Sequence, residues 1–257
     1  MPSLTTPTPS TAKPQHKQLT FYTSPYSPYC HRVHIALEEA KVAPSLVEID
    51  LRPGCKPAWF TSRVNPMGTV PAFTYGGAPA PPDQPSPAAL KLAESIVLIE
   101  FIADLHPEAA LHPKDPELLA RARLFITLSH DTLHHAFRGF FFRGERIESI
   151  LPSLEAFQAL LAPSGYAVGP WSMADVVVAP MIVRFMRLAG YEIGKYPMGE
   201  GKRLLKALGE PKFARFMQYY QSLWERPSVK TTWDEHTNVK MWRIHPNVNR
   251  STSAVGH

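Results

Sequence analysis

A small α/β domain followed by an all-helical one is the architecture the sequence predicts, and three observations predict it. Residues 19–105 alternate strand-like and helix-like runs in the order β-α-β, a connection, then β-β-α. Residues 116–225 keep apolar residues three to four apart, with no convincing strand. The chain has 257 residues, 44% of them hydrophobic. That is length for one large domain or two modest ones, and apolar surface enough for a core.

The elements follow in order. Leu19-Thr20-Phe21-Tyr22 reads as a strand. Ser27-Pro28, with Val33, Ile35, Ala36 and Leu37 behind it, is an N-cap with proline at the first helical position. Leu46 to Asp50 reads as a second strand, which a helical crossover places parallel to the first. Val70–Tyr75 and Leu90–Leu92 flank the proline-rich stretch GGAPAPPDQPSP like a hairpin with an irregular loop. Ser95 to Leu105 closes the unit as a helix, stopping before His106-Pro107. In the second region Leu118, Ala122, Phe125, Ser129, Thr132 and Ala136 recur at helical spacing, as do Val177, Met181, Phe185 and Leu188. The resulting division is a disordered Pro/Ser/Thr-rich tail (1–17), an α/β domain (18–106), a linker (107–115), a helical domain (116–236) and a C-terminal tail (237–257).

Composition excludes several classes. The net charge of +5 sits in the tails. Lys13 and Lys17 lie before the first strand, Lys240, Arg243 and Arg250 follow Glu235, and residues 18–235 balance to zero. With no basic footprint on a recognisable module, a nucleic-acid partner is not expected. No apolar run approaches the roughly 18 residues of a membrane helix, so no membrane partner is expected either. Residues 1–18 lack a secretory h-region, and two cysteines are too few for a disulfide framework. The expectation is a soluble cytoplasmic protein.

Four features of the first domain carry chemistry. Ser27 stands at a strand-to-helix junction, where free backbone N–H groups and the helix dipole favour an anion; it could equally cap only its own helix. Asn65-Pro66-Met67-Gly68-Thr69-Val70-Pro71 leads into a strand that Pro71 cannot join through an N–H. A cis bond there would turn the backbone groups of Val70 toward an extended peptide. Glu94-Ser95 pairs an anion with a helix N-terminus, a combination that fits an amino-acid head group. Lys56 supplies a cation for a second carboxylate.

Together these residues resemble the cytosolic glutathione transferases. SPYCHRVHIALEEA is similar to the family's first helix, NPMGTVPAF to its cis-proline loop, and LAESIVLIEFIADLHP to its γ-glutamyl site and following helix. Ser172-Met173-Ala174-Asp175 resembles its S-x-x-D capping box. The resemblance spans roughly residues 19–230 and implies a thioredoxin-like first domain. Lys56-Pro57-Ala58-Trp59-Phe60 and the Pro-Tyr after Ser27 resemble the omega class, with serine where that class carries cysteine, as in serine-bearing fungal variants. It implies glutathione as co-substrate, no metal, and contacts from Tyr29, Lys56, Val70, Pro71, Glu94 and Ser95. Ser27 would meet the sulfur, with Ser24 the alternative. It also implies a homodimer.

A serine cannot carry glutathione as a mixed disulfide, so conjugation to small hydrophobic electrophiles, or peroxide reduction by bound thiolate, is expected over deglutathionylation. Cys30, one turn into the helix, reads as an inert buried thiol, and Cys55 as the more reactive one. Phe125, Ser129 and Thr132 share a helical face and are expected to wall a cleft for an apolar co-substrate, with Trp233 as its cap. His130 and His134 have a metal-ligand spacing but no third ligand, and read as polar residues on a domain-facing helix. Two other functions stay open: a ligandin that holds aromatic small molecules with little turnover, and a transferase-like module serving protein assembly.

Overall fold

The computed structural model describes residues 17–250. The tail assigned to residues 1–17 therefore lies outside the described residues, except for Lys17, whose ammonium sits 5.4 Å from the centroid of the Tyr75 ring. The first domain comprises β1 (Leu19–Thr23), α1 (Pro28–Glu39), β2 (Ser45–Glu48), α2 (Ala58–Arg63), β3 (Ala72–Tyr75), β4 (Leu90–Ala93) and α3 (Ser95–Leu105). Its sheet has the order β2-β1-β3-β4, with β2 parallel to β1 and the other pairs antiparallel. This is the thioredoxin-like arrangement.

Register explains why distant motifs meet. Tyr22 pairs with Ala72, and Ala72 with Ala93; Thr23 pairs with Glu48. The residues that follow β1, precede β3 and follow β4 therefore leave the sheet at one end. Ser24–Ser27, Val70-Pro71 and Glu94-Ser95 are neighbours for that reason, and the loop carrying Lys56 begins beside them.

The second domain begins with α4 (Pro116–Ser129), which Asp115 caps by accepting the Glu117 N–H at 3.0 Å. It runs through a π-helical turn (His130–His134), α5 (His135–Arg138) and a second π turn (Gly139–Arg143). Then follow α6 (Ile147–Leu160), α7 (Met173–Gly190), α8 (Glu200–Leu208), α9 (Ala214–Glu225), α10 (Pro227–Thr231) and α11 (Glu235–Ile244). Among the described residues no helix is long and apolar enough to cross a membrane.

The central helix is α7, buried along nearly its whole length. Ser172 and Asp175 form the expected capping box at its start. The Asp175 carboxylate also accepts the Ala167 N–H and the Tyr219 hydroxyl, both at 2.8 Å. Burial pushes its carboxyl up to about 6, so at pH 7 it is mostly ionised and faces only donors.

One boundary is corrected. Residues 237–244, read from the sequence as tail, belong to α11, and Trp242 on that helix is buried. Its apolar residues are too few for a periodic signal; an Asp234 cap and one tryptophan hold it down.

Candidate active site

The Ser27 turn is the centre of the constellation. Ser27 has extended backbone, and its Oγ accepts the Cys30 N–H at 3.3 Å. The hydroxyl proton is left to donate elsewhere, so the capping reading and the anion-binding reading are compatible. Ser27 is 7% exposed and lines a cavity of about 280 Å³; Ser24 is 1% exposed and does not line it. Cys30 is fully buried, its thiol pushed up by burial, and its sulfur accepts the Ser24 N–H at 3.3 Å. Cys55 is exposed.

Opposite this turn is the proline loop, in which the Val70–Pro71 bond is cis. Asn65 shapes it: its Nδ2 donates to the Thr69 carbonyl at 2.8 Å and its Oδ1 accepts the Met67 N–H at 3.2 Å. Gly68 has φ +64, and a Cβ added there would lie 3.2 Å from Lys56 Nζ. The lysine amine thus lies over the loop that delivers Val70. Among the described residues no hydrogen bond reaches the N–H or C=O of Val70.

The third group is the β4–α3 junction. Glu94 has φ +72 and ψ 112, a conformation that costs a non-glycine residue about 1–3 kcal/mol and clusters at functional sites. It projects the exposed Glu94 carboxylate while Ser95 opens α3. The buried Ser95 Oγ accepts from Arg32 Nη1 at 3.1 Å.

Arg32 had no role in the sequence reading. It leaves α1 toward α7, donates through Nε to the Val177 carbonyl at 2.7 Å, and lies under the Tyr29 ring. Arg184 on α7 answers from the other side. Fully buried, it donates to the carbonyls of Pro180 and Tyr26, contacts His31 Nδ1 at 3.2 Å and stacks over Trp233. Every partner of these two cations is neutral. Burial lowers Arg32 to about 10 and Arg184 to about 9, which leaves both charged at pH 7 and favours any anion brought near. Basic side chains carry no local signal of such cross-domain contacts.

The four residues expected at the cavity wall are dispersed. Phe125 is turned inward against Phe157, ring centroids 5.7 Å apart. Ser129 donates to the Ile126 carbonyl and borders a separate cavity. Thr132 bonds back to Leu128 and borders neither. Trp233 is buried behind α1, 5.9 Å from the His31 ring. Ala122 and Phe125 of α4 are core, whereas Ile126, Thr127, Ser129, His130, Asp131 and His134 border the cleft. The polar residues of this set form a stripe with helical spacing that was visible in the sequence.

Phe137, Phe142, Trp242 and His245 form the aromatic lining above Ser27, with Met181 beside them. Trp242 closes it, edge-on to Phe137 at 5.8 Å and stacked with His245 at 5.8 Å. Its Nε1 donates to the Tyr26 carbonyl at 3.1 Å. Tyr29, expected to touch glutathione, places its hydroxyl 3.0 Å from His134 Nε2. Burial lowers His134 to about 4, so the ring is neutral.

The chain is similar to known proteins. Residues 26–105 match the family described as "Glutathione S-transferase, N-terminal domain". The crystal structure of glutathione transferase Omega 1C from Trametes versicolor is 41% identical, with a TM-score of 0.84, over 88% of this chain and 95% of that one. That of Omega 2S from the same organism, in complex with 2,4-dihydroxybenzophenone, is 44% identical, with a TM-score of 0.81, over 87% and 97%. The Pyrimidodiazepine synthase of Drosophila melanogaster is 26% identical over 62% of this chain, which spans 65% of that protein's length.

Proposed function

The chain belongs to the glutathione transferase family, omega-like in sequence and fold, and on that premise we propose that it ionises glutathione at Ser27 and adds the thiolate to small hydrophobic electrophiles. Glutathione extends along the end of the sheet. Its γ-glutamyl carboxylate meets the start of α3 and Ser95, with Arg32 behind, and Glu94 takes the ammonium. The cysteinyl unit pairs with the free backbone groups of Val70, and Lys56 meets the second carboxylate. The cysteinyl sulfur lies against the Ser27 hydroxyl. In conjugation the sulfur lone pair forms the new carbon–sulfur bond, and the leaving group, such as a halide, departs with the electrons of the bond that breaks. The thiol proton goes to solvent before attack.

The observation that carries this reading is the double placement of Ser27: its oxygen caps α1, while its hydroxyl sits on the floor of an aromatic cavity. A hydrogen bond to a charged group contributes about 1.5–3 kcal/mol, so Ser27→Ala is expected to lower kcat/KM for an aryl halide roughly ten- to a hundredfold. Glutathione affinity should change little. Full activity in that variant would pass the role to Ser24 or to the backbone alone.

A ligandin role is the second reading, favoured by the aromatic lining and by the benzophenone bound to the Trametes Omega 2S protein. Retention on immobilised glutathione without turnover of an aryl halide or isothiocyanate would select it. A chain that is not retained would fit the assembly-module reading instead.

The expected site of action is the cytoplasm, and the expected assembly is a homodimer. Leu124 and Leu128 stand exposed one turn apart on α4, and Val97 stands exposed on the first turn of α3. Such apolar groups suit burial against a second copy. Sedimentation at the mass of one chain, 28.7 kDa, across micromolar concentrations would reject the dimer.

A further inference from the structure

Two cavities share a wall. The aromatic one, about 280 Å³, lies over Ser27. The other, about 310 Å³, lies between α1, the first turn of α3 and the cleft face of α4. Tyr29, His134 and Met181 border both, and the 3.0 Å contact of the Tyr29 hydroxyl with His134 Nε2 closes the wall from opposite domains. Neither end is loose. The Arg32 guanidinium lies 4.9 Å from the centroid of the Tyr29 ring, and the His130 ring stacks on His134 at 4.5 Å.

We propose that the Tyr29–His134 pair is a partition that limits the length of the ligand held by the aromatic cavity, and that the space behind it suits the anionic end of a longer ligand. This rests on reading the first cavity as the co-substrate pocket. Ile96, Ile126 and Val177 give the second cavity an apolar flank for a methylene chain. Arg32 gives it a cation. Its Nε and Nη1 are bound to a carbonyl and a hydroxyl, and Asp131 borders the cavity from the second domain. Nη2 is left for a second carboxylate beside the one that Ser95 takes from glutathione, and such charge-assisted bonds are the strong ones. While the partition stands, a compact aromatic group fits and an extended one is stopped at His134. His134 is thus a specificity-determining residue for the proposed reaction.

Calorimetric titration with 2-phenylacetate, 6-phenylhexanoate and 10-phenyldecanoate, in saturating glutathione, tests this. In the native protein affinity should not rise along the series, although each buried methylene would otherwise add about 0.8 kcal/mol. His134→Ala should bind the decanoate at least about tenfold tighter than the native protein does, with phenylacetate within about twofold. The methyl ester should gain less than the acid. Adding Thr127→Trp, which fills the second cavity from α4, should cancel the gain. Tyr29→Phe, which removes the contact from the other side with almost no loss of volume, should shift the series the same way by less.

Equal gains at every length, or a gain that survives Thr127→Trp, would overturn the partition alone. A native protein that binds phenylacetate in no condition overturns the co-substrate reading of the first cavity, and the partition with it.

Discussion

Asp175→Ala is expected to unfold much of the protein at temperatures where the native chain is stable. Removing the carboxylate strands three donors at once: the N–H groups of Ala167 and Ser172 and the hydroxyl of Tyr219. Asp175, Ser172 and Tyr219 are fully buried, so water cannot replace the lost acceptor. A lost helix cap costs about 0.5–2 kcal/mol, and each stranded buried donor about 1–3 kcal/mol. Allowing for partial relaxation, a loss of roughly 3–5 kcal/mol is expected, at the large end for single substitutions. For a chain of this size that lowers Tm by about 6–20 °C. Tyr219→Phe, which removes one donor together with its need for a partner, should cost far less. Thermal melts and glutathione titration of the surviving folded fraction decide it: melting should fall and affinity stay. The reverse pattern would make Asp175 a ligand residue.

The second large effect is a gain. Ser27→Cys should introduce thiol transferase activity at least about a hundredfold above the native protein, because only a thiolate can exchange with a disulfide. At the start of α1 a thiol pKa is expected well below its free value. The introduced thiolate attacks the glutathionyl sulfur of a mixed disulfide, forms a new S–S bond and expels the substrate thiolate. A second glutathione thiolate then attacks that bond, releasing oxidised glutathione and restoring the enzyme thiolate. Cys30 cannot serve in the native protein, since it is buried with a raised pKa. Repeating the assay in a Cys55→Ser background removes the exposed thiol as a source. An unchanged rate with a glutathione mixed-disulfide substrate would mean that the surroundings of Ser27 no longer admit one.

What the sequence made legible follows from the range of each signal. The start of α1, the bounds of α3 and the capping box of α7 are written in residues a few positions apart, and the structure has them where the sequence put them. The six-residue α2 was not anticipated, because so short a helix is stable only through the contacts that Phe60 makes. The apolar stripe of α4 was read correctly as helix, and the cleft wall expected on it divides: Ser129 borders the cleft and Phe125 packs on Phe157. Phe125 faces its own domain, and the polar stripe ending in His134 faces the cleft. Arg32 and Arg184 went unnoticed because their partners, Val177, Ser95, Tyr26 and His31, lie on other elements. Local pattern reports which face is buried; it does not report against what.

The bond from Trp242 to the Tyr26 carbonyl joins residues 216 positions apart. During synthesis the first domain emerges early, and domains fold in the order they leave the ribosome. A nascent chain that has folded β1 to α3 already has the sheet end and the Ser27 turn, but nothing above them. Phe137 and Phe142 come with α5 and the π turn after it, and Trp242, which closes the lining, only with α11. The hydrophobic vestibule is therefore among the last parts of the molecule to exist, and a partly translated chain can hold the groups that would activate a thiol well before it has anywhere to put an electrophile.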